Sequence, residues 1–283
     1  MKKLLYTGIL IVISIFCSAI ISAEEKSYPL KDFTEIHFSM PGSVFVTQSD
    51  EYRVVVEGTR DQIEDIVIQQ IGNSLVIEQE WSFLGLGEVD VESVVIHVGI
   101  PRLETIQVSS KGAIHGLSTF NKAKKMTIES SSSGNIYMTI DVDEIEARVS
   151  SSGSITLKGM AASAILKTSS SGDVGFAGTI TEYLQATTSS FGKITCELSP
   201  EVEVPRSELK ISSFGDIEMT GLGDYVQAKS SSAGNFLLSE FSSNNMKIDL
   251  SSSGNAYINT TGYLDLKTSS SGRIVNQGSP RMN

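Results

Sequence analysis

A serine-rich phrase ending in glycine returns nine times along this chain, and its spacing restricts the fold more than any other feature. The glycines are Gly112, Gly134, Gly153, Gly172, Gly192, Gly215, Gly234, Gly254 and Gly272, separated by 18 to 23 residues. Serines stand two and three positions before every one, from Ser109 and Ser110 to Ser269 and Ser270. A period near 20 residues marks a solenoid in which each copy is one rung. Flexible linkers and mucin-like tracts keep no such register and lack flanking apolar residues.

Those flanking residues are present. Two positions after the glycine stand Ile114, Ile136, Ile155, Val174, Ile194, Ile217, Phe236, Ala256 and Ile274. Four after it come Met138, Leu157, Phe176, Cys196, Met219, Leu238 and Ile258 in the middle copies. Six before it come Ile106, Ile128, Ala147, Leu166, Ala186, Leu209, Ala228, Ile248 and Leu266. Period-two alternation on both sides of a turn means two short strands, each with one buried face. No helix-period segment of useful length follows the N-terminal apolar run. Stacked strand–turn–strand units make a parallel β-helix with rungs about 4.8 Å apart, so nine rungs rise roughly 40 Å.

At the corner itself, the glycine is expected to turn the chain with a positive φ. The next residue is Asn135, Asp173, Asp216, Asn235 or Asn255 in five copies, types that bond to nearby backbone. One serine of each pair is expected to point into the bend, giving a stacked hydroxyl ladder. Residues 24–100 lack the phrase and read as a strand-rich cap on the first rung, with turns at "MPG" (40–42) and "GNS" (72–74). Residues 101–283 are the rungs, and the last of them is a candidate assembly edge.

Residues 1–23 read as an export signal: Lys2 and Lys3, an apolar run from Leu4 to Ile21, then Ala23 before Glu24. A retained anchor is the alternative, since the run is near the short end of spanning length. Membrane contact is expected only through that segment if it stays uncleaved. Loss of the two lysines takes the net charge from −11 to about −13. Such a field repels phosphate backbones, and nucleic acid is not expected as a partner. Cys17 leaves with the signal, so Cys196 has no intramolecular disulfide partner.

The opening "FTEIHFSMPGSVFVTQSDEYRVVVEG", then "SLVIEQ", "IPRLETIQVSSKGAIHG" and the train of "SSSGNI"-like repeats together resemble the bacterial head GIN domain family. The resemblance covers about residues 30–275. It implies a right-handed β-helix similar to pectin lyases, with Gly-Ser-Gly turns between sheets, and a role in adhesion or surface assembly. Here the phrase is Ser-Ser-x-Gly instead, and Phe191 and Phe214 precede the glycine in two copies, which implies wider corners there.

Chemistry is poorly represented. Serine nucleophiles need an oriented base, but His37, His97 and His115 all lie before the regular rungs. His115 is expected to face solvent. A polysaccharide lyase or hydrolase is the enzymatic alternative, and it needs grouped carboxylates on neighbouring rungs. Asp173 and Asp216 share a column but are interrupted by Lys193, and both suit turn formation. Glu182, Glu197, Glu201, Glu203 and Glu218 read as a solvated neighbourhood around "ELSPEVEVPRSE". No calcium repeat or EF-hand loop is present, and neither cofactor nor metal is expected. Cys196 replaces Met, Leu, Phe or Ile in its column and reads as a small core residue.

Two features read as candidate binding surfaces. The loop "EWSFLGLGEVDVE" (80–92) places Trp81, the sole tryptophan, near Phe83. Its alternative reading is a flap over the end of the core. Tyr137 and Tyr257 follow inward positions and should therefore face outward. The sequence describes a non-enzymatic exported β-helix, periplasmic, secreted or at the outer surface. It binds a cell-surface protein or glycan, or assembles with itself in the envelope. A purely structural envelope protein is the third reading.

Overall fold

The computed structural model describes residues 23–80, 89–251, 253–269 and 271–282. They form a parallel β-solenoid whose repeating unit is the strand–corner–strand rung. One sheet carries the strands that precede each glycine, such as Lys125–Ser130 and the second half of Asn135–Val149, paired in parallel from Lys125↔Glu144 to Ser130↔Val149. The other carries the strands that follow it, paired as Asn135↔Ser154 through Val142↔Ala161. Ile136, Ile155, Val174, Ile194 and Ile217 are all buried in one such column. Pairing next to the corner is in register, so this column continues from rung to rung, and register shifts fall farther along the strands, as between Ala161 and Ser163 and between Glu218 and Thr220.

The repeated glycines work by close approach and not by a positive φ, correcting the expectation above. The positive-φ glycines among the described residues are Gly42, Gly72, Gly159, Gly178 and Gly221. At a repeat corner the constraint is space. A Cβ built on Gly172 would lie 2.1 Å from Val149 Cγ1, and one on Gly192 would lie 2.2 Å from Thr168 Oγ1. Two corners take their left-handed residue from serine, at Ser170 (φ 66°) and Ser190 (φ 62°). Gly159 and Gly178 (φ 116° and 147°) instead bend the chain farther along the strand, where a Cβ on Gly178 would stand 1.9 Å from the Gly159 carbonyl oxygen.

The buried hydroxyl ladder is also displaced from the expected serines. Ser132, Ser151, Ser190 and Ser213 are only half-buried, and Ser170 is exposed. The inward column lies four residues before the glycine and runs Val108, Ser130, Val149, Thr168, Thr188, Ile211, Ser230 and Leu250. There Ser130 Oγ donates to the Gly134 carbonyl at 2.8 Å and Thr188 Oγ1 to that of Gly192 at 2.8 Å. Thr168 Oγ1 donates to Thr188 Oγ1 at 3.0 Å.

The N-terminal region contains full rungs in an order that departs from the chain. Glu35–Phe38 lies between Ser74–Gln79 and Thr105–Val108. On the second sheet, Ser43–Gln48 likewise lies between Val95–Ile100 and Ala113–Phe120. Antiparallel strands then finish this end: Ile66–Ile71 beside Ser74–Gln79, Arg53–Gly58 beside Val95–Ile100, and Glu24–Ser27 outermost. A single turn of helix, Arg60–Glu64, connects two of them, held by a Thr59–Gln62 capping box and a buried Ile63. No helix among the described residues is long and apolar enough to cross a membrane.

Candidate functional site

The stacking order of the first rungs brings together four rings that are far apart in sequence. Val44 and Val46 point into the core, so Phe45 between them points out. The same alternation turns His97 outward between Ile96 and Val98, and His115 after Ile114. The register sets Phe45 opposite His97 on one side and opposite His115 on the other, with Tyr137 next to His115. The rings stack at centroid distances of 5.7 Å (His97–Phe45), 5.1 Å (Phe45–His115) and 5.2 Å (His115–Tyr137). Interplanar angles of 22°, 20° and 11° keep them nearly parallel.

This ladder faces solvent at both ends. Tyr137 is 42% exposed. At the other end His97 Nε2 lies 3.2 Å from Glu57 Oε1. Phe45 and His97 also line a shallow depression of 640 Å³ with Thr47, Tyr52, Arg53 and Asp50. A smaller hollow of 260 Å³ lies past Tyr137, bordered by Thr139, Thr156 and Lys158. Aromatic ring edges beside carboxylate, guanidinium and hydroxyl groups suit a ligand with both apolar and polar surface, such as a sugar or a peptide.

Of the residues singled out from sequence, Tyr137 belongs to this ladder. Tyr257 is exposed in the same outward column six rungs away, reached through Thr156, Gly175, Thr195, Glu218 and Leu237. It borders a separate hollow of 270 Å³ with Glu218 and Glu240. Trp81 and Phe83 lie outside the described residues. Sequence reasoning missed Phe45, weighed His97 only as a catalytic base and read His115 as a solvent-facing residue. The signal was Gly42, whose "SMPG" places Phe45 three residues past a glycine, as His115 is past Gly112.

Three of the acidic candidates, Asp216, Glu203 and Glu218, are engaged by neighbouring side chains. Lys193 stands between Asp173 and Asp216 in register and pairs with Glu218 at 2.7 Å. Asp216 Oδ1 accepts from Asn235 Nδ2 at 2.8 Å, and Asn255 Nδ2 donates to Asn235 Oδ1 at 3.0 Å, linking successive corners. Among the described residues, no group of three or more His, Cys, Asp or Glu side chains is arranged to hold a metal ion. Cys196 is fully buried, and burial pushes its thiol up to about 12.

Solved structures share the fold at low identity. A putative adhesin from Bacteroides fragilis superposes with TM-score 0.62 at 18% identity, covering 90% of this chain and 97% of its own. A putative adhesin from Parabacteroides merdae gives 0.66 at 15% identity, covering 92% and 96%. A putative lipid binding protein from Parabacteroides distasonis gives 0.64 at 18% identity, again covering 92% and 96%. No curated protein matches the sequence. The sequence profile of one family matches residues 32–204 and 195–280, so the chain belongs to the family described as "Putative auto-transporter adhesin, head GIN domain".

Proposed function

We propose that this chain is an exported, non-enzymatic, adhesin-like binding protein of the bacterial envelope, with residues 1–23 removed on export. The observation that carries the reading is the His97–Phe45–His115–Tyr137 stack. A solenoid needs no continuous aromatic column on its outer face, where ordinary polar residues would satisfy the sheet. An aromatic stripe beside a wide, shallow depression suits recognition of a surface ligand better than enclosure of a reacting bond. The family description and the adhesin names of similar structures agree with that class of function.

Bacterial adherence to host cells, with the purified chain as competitor, tests the reading. Wild-type protein should compete, whereas Phe45→Ala and Tyr137→Ala should each weaken competition about fivefold to tenfold. Equal competition by both variants removes the ladder from the function. Turnover of a polysaccharide by the purified chain removes the non-enzymatic reading. Trp81→Ala and Phe83→Ala in the same assay place or displace the 80–92 loop as a second contact.

A further inference from the structure

A second outward column, on the other sheet, alternates aromatic and hydrogen-bonding residues at rung spacing. Register places Tyr183 beside Arg206, Arg206 beside Tyr225, Tyr225 beside Asn245 and Asn245 beside Tyr263. Tyr183 and Tyr225 are half-buried, and Tyr263 is 40% exposed. The tyrosines occupy every second rung, so they repeat at about 10 Å, twice the strand spacing. An extended polysaccharide returns the same ring face once per disaccharide, a repeat of the same order. Between the tyrosines, Arg206 is held by Glu208 and Asn245 Nδ2 donates to Asp224 Oδ1 at 3.2 Å, which leaves their remaining donors and the Asn245 side-chain carbonyl for the intervening sugars.

Charge on this face narrows the ligand. Two residues along each strand, Gln185, Glu208, Gln227 and Lys247 form the floor, and Arg206 Nη2 holds Glu208 Oε1 at 2.6 Å. Beyond the floor, Lys210 and Lys229 are exposed and directly adjacent in register. Among the described residues neither has a carboxylate at ion-pair distance: Asp249, the other register neighbour of Lys229, pairs with Lys267, and Asp265 pairs with Lys247. Like charges one strand apart are unfavourable. The chain's net charge of −11 opposes a polyanion at long range, so such a pair holds an anion by direct contact.

We infer that this face binds a linear acidic polysaccharide along the solenoid axis, its sugar rings on Tyr183, Tyr225 and Tyr263 and its carboxylates on Lys210 and Lys229. The site lies on a different sheet from the aromatic ladder and extends beyond the function proposed above.

Calorimetric titration of the full chain with oligogalacturonate, oligomannuronate and oligoglucuronate of increasing length tests it. At least one series should bind, tightening with length until the oligomer spans Tyr183 to Tyr263, and weakening as salt is raised. Tyr225→Ala should lower the affinity roughly fivefold and Tyr225→Phe should retain it. Joint Lys210→Gln and Lys229→Gln should lower it roughly tenfold. Phe45→Ala should leave it unchanged, which separates this face from the ladder. The inference is overturned if no acidic series binds, or if neutral cello-oligosaccharides bind as tightly. It is equally overturned if binding survives the Tyr225→Ala and lysine variants, or is lost in Phe45→Ala.

Discussion

Gly153 packs so closely over Ser130 of the preceding rung that a Cβ on the glycine would lie 2.2 Å from the serine Oγ and 2.4 Å from the Gly134 carbonyl oxygen. The second obstacle is backbone and cannot rotate away. Gly153→Ala should therefore destabilise the chain by about 1–3 kcal/mol through overpacking. Gly72 is the control: its φ of 63° is left-handed, but nothing lies within 4 Å of its missing Cβ. Gly72→Ala should cost about 1 kcal/mol from conformation alone. Urea unfolding of the two variants separates crowding from backbone geometry.

Thr188 accepts from Thr168 Oγ1 at 3.0 Å and donates to the Gly192 carbonyl at 2.8 Å, inside a column otherwise shared with Val149 and Ile211. Thr188→Val leaves the Thr168 hydroxyl without its acceptor and should cost about 1–2 kcal/mol. Thr168→Val together with Thr188→Val removes both members, and its cost should fall below the sum of the singles. A double-mutant cycle in denaturant measures that coupling.

Ser207 is fully buried between Leu184 and Val226 in register, and its Oγ has no hydrogen-bond partner among the described residues. Removing an unsatisfied buried hydroxyl relieves a desolvation cost. Ser207→Ala should raise the thermal midpoint, with a gain of up to about 1 kcal/mol. A lowered midpoint would mean that the hydroxyl has a partner in solution.

Cys196 should be inert in the folded chain. With burial holding its thiol up at about 12, almost no thiolate exists at mildly alkaline pH, and no path reaches the sulfur. A disulfide reagent should therefore react only after denaturant is added. Fast labelling of native protein would contradict this burial.

Glu146 contacts Arg148 on its own strand and reaches the next rung at 3.2 Å to Lys167 Nζ. Burial raises its carboxyl, but the hydrogen bonds and charges of those two residues outweigh it and leave the group below the ordinary carboxylate range. A lowered carboxyl contributes stability present above its unfolded value and lost as pH falls through the folded one. Glu146→Gln should cost about 1 kcal/mol or less at neutral pH, and the difference from wild type should close between about pH 5 and about pH 3. Melting curves across that range supply the check.

The middle of the molecule was readable because its signals are local. Ile136, Ile155 and Val174 alternate with polar neighbours at fixed offsets from a glycine, and in-register stacking follows directly. What the glycine does at the corner was not readable. Its offset is the same whether the need is a positive φ or room for Val149, and only the neighbouring rung distinguishes them. The same limit hid the hydroxyl column, since Ser130 and Thr168 share their position with Val149 and Leu250. The aromatic ladder was hidden by topology. Tyr137 could be placed outward by alternation, but its stack requires residues 43–48 to sit beside residues 113–116, with a later rung on their other side.

That inverted order governs assembly. The strands at 35–48 gain one neighbour only when residues 74–100 exist and the other only when residues 105–116 arrive. Every later rung can zip onto a completed edge in the order in which it is made. The opening rungs cannot, so they close together as one cooperative block, whereas the later rungs pair with one another without it. Loss of one opening strand therefore undoes several layers, and loss of a rung at the far end undoes one.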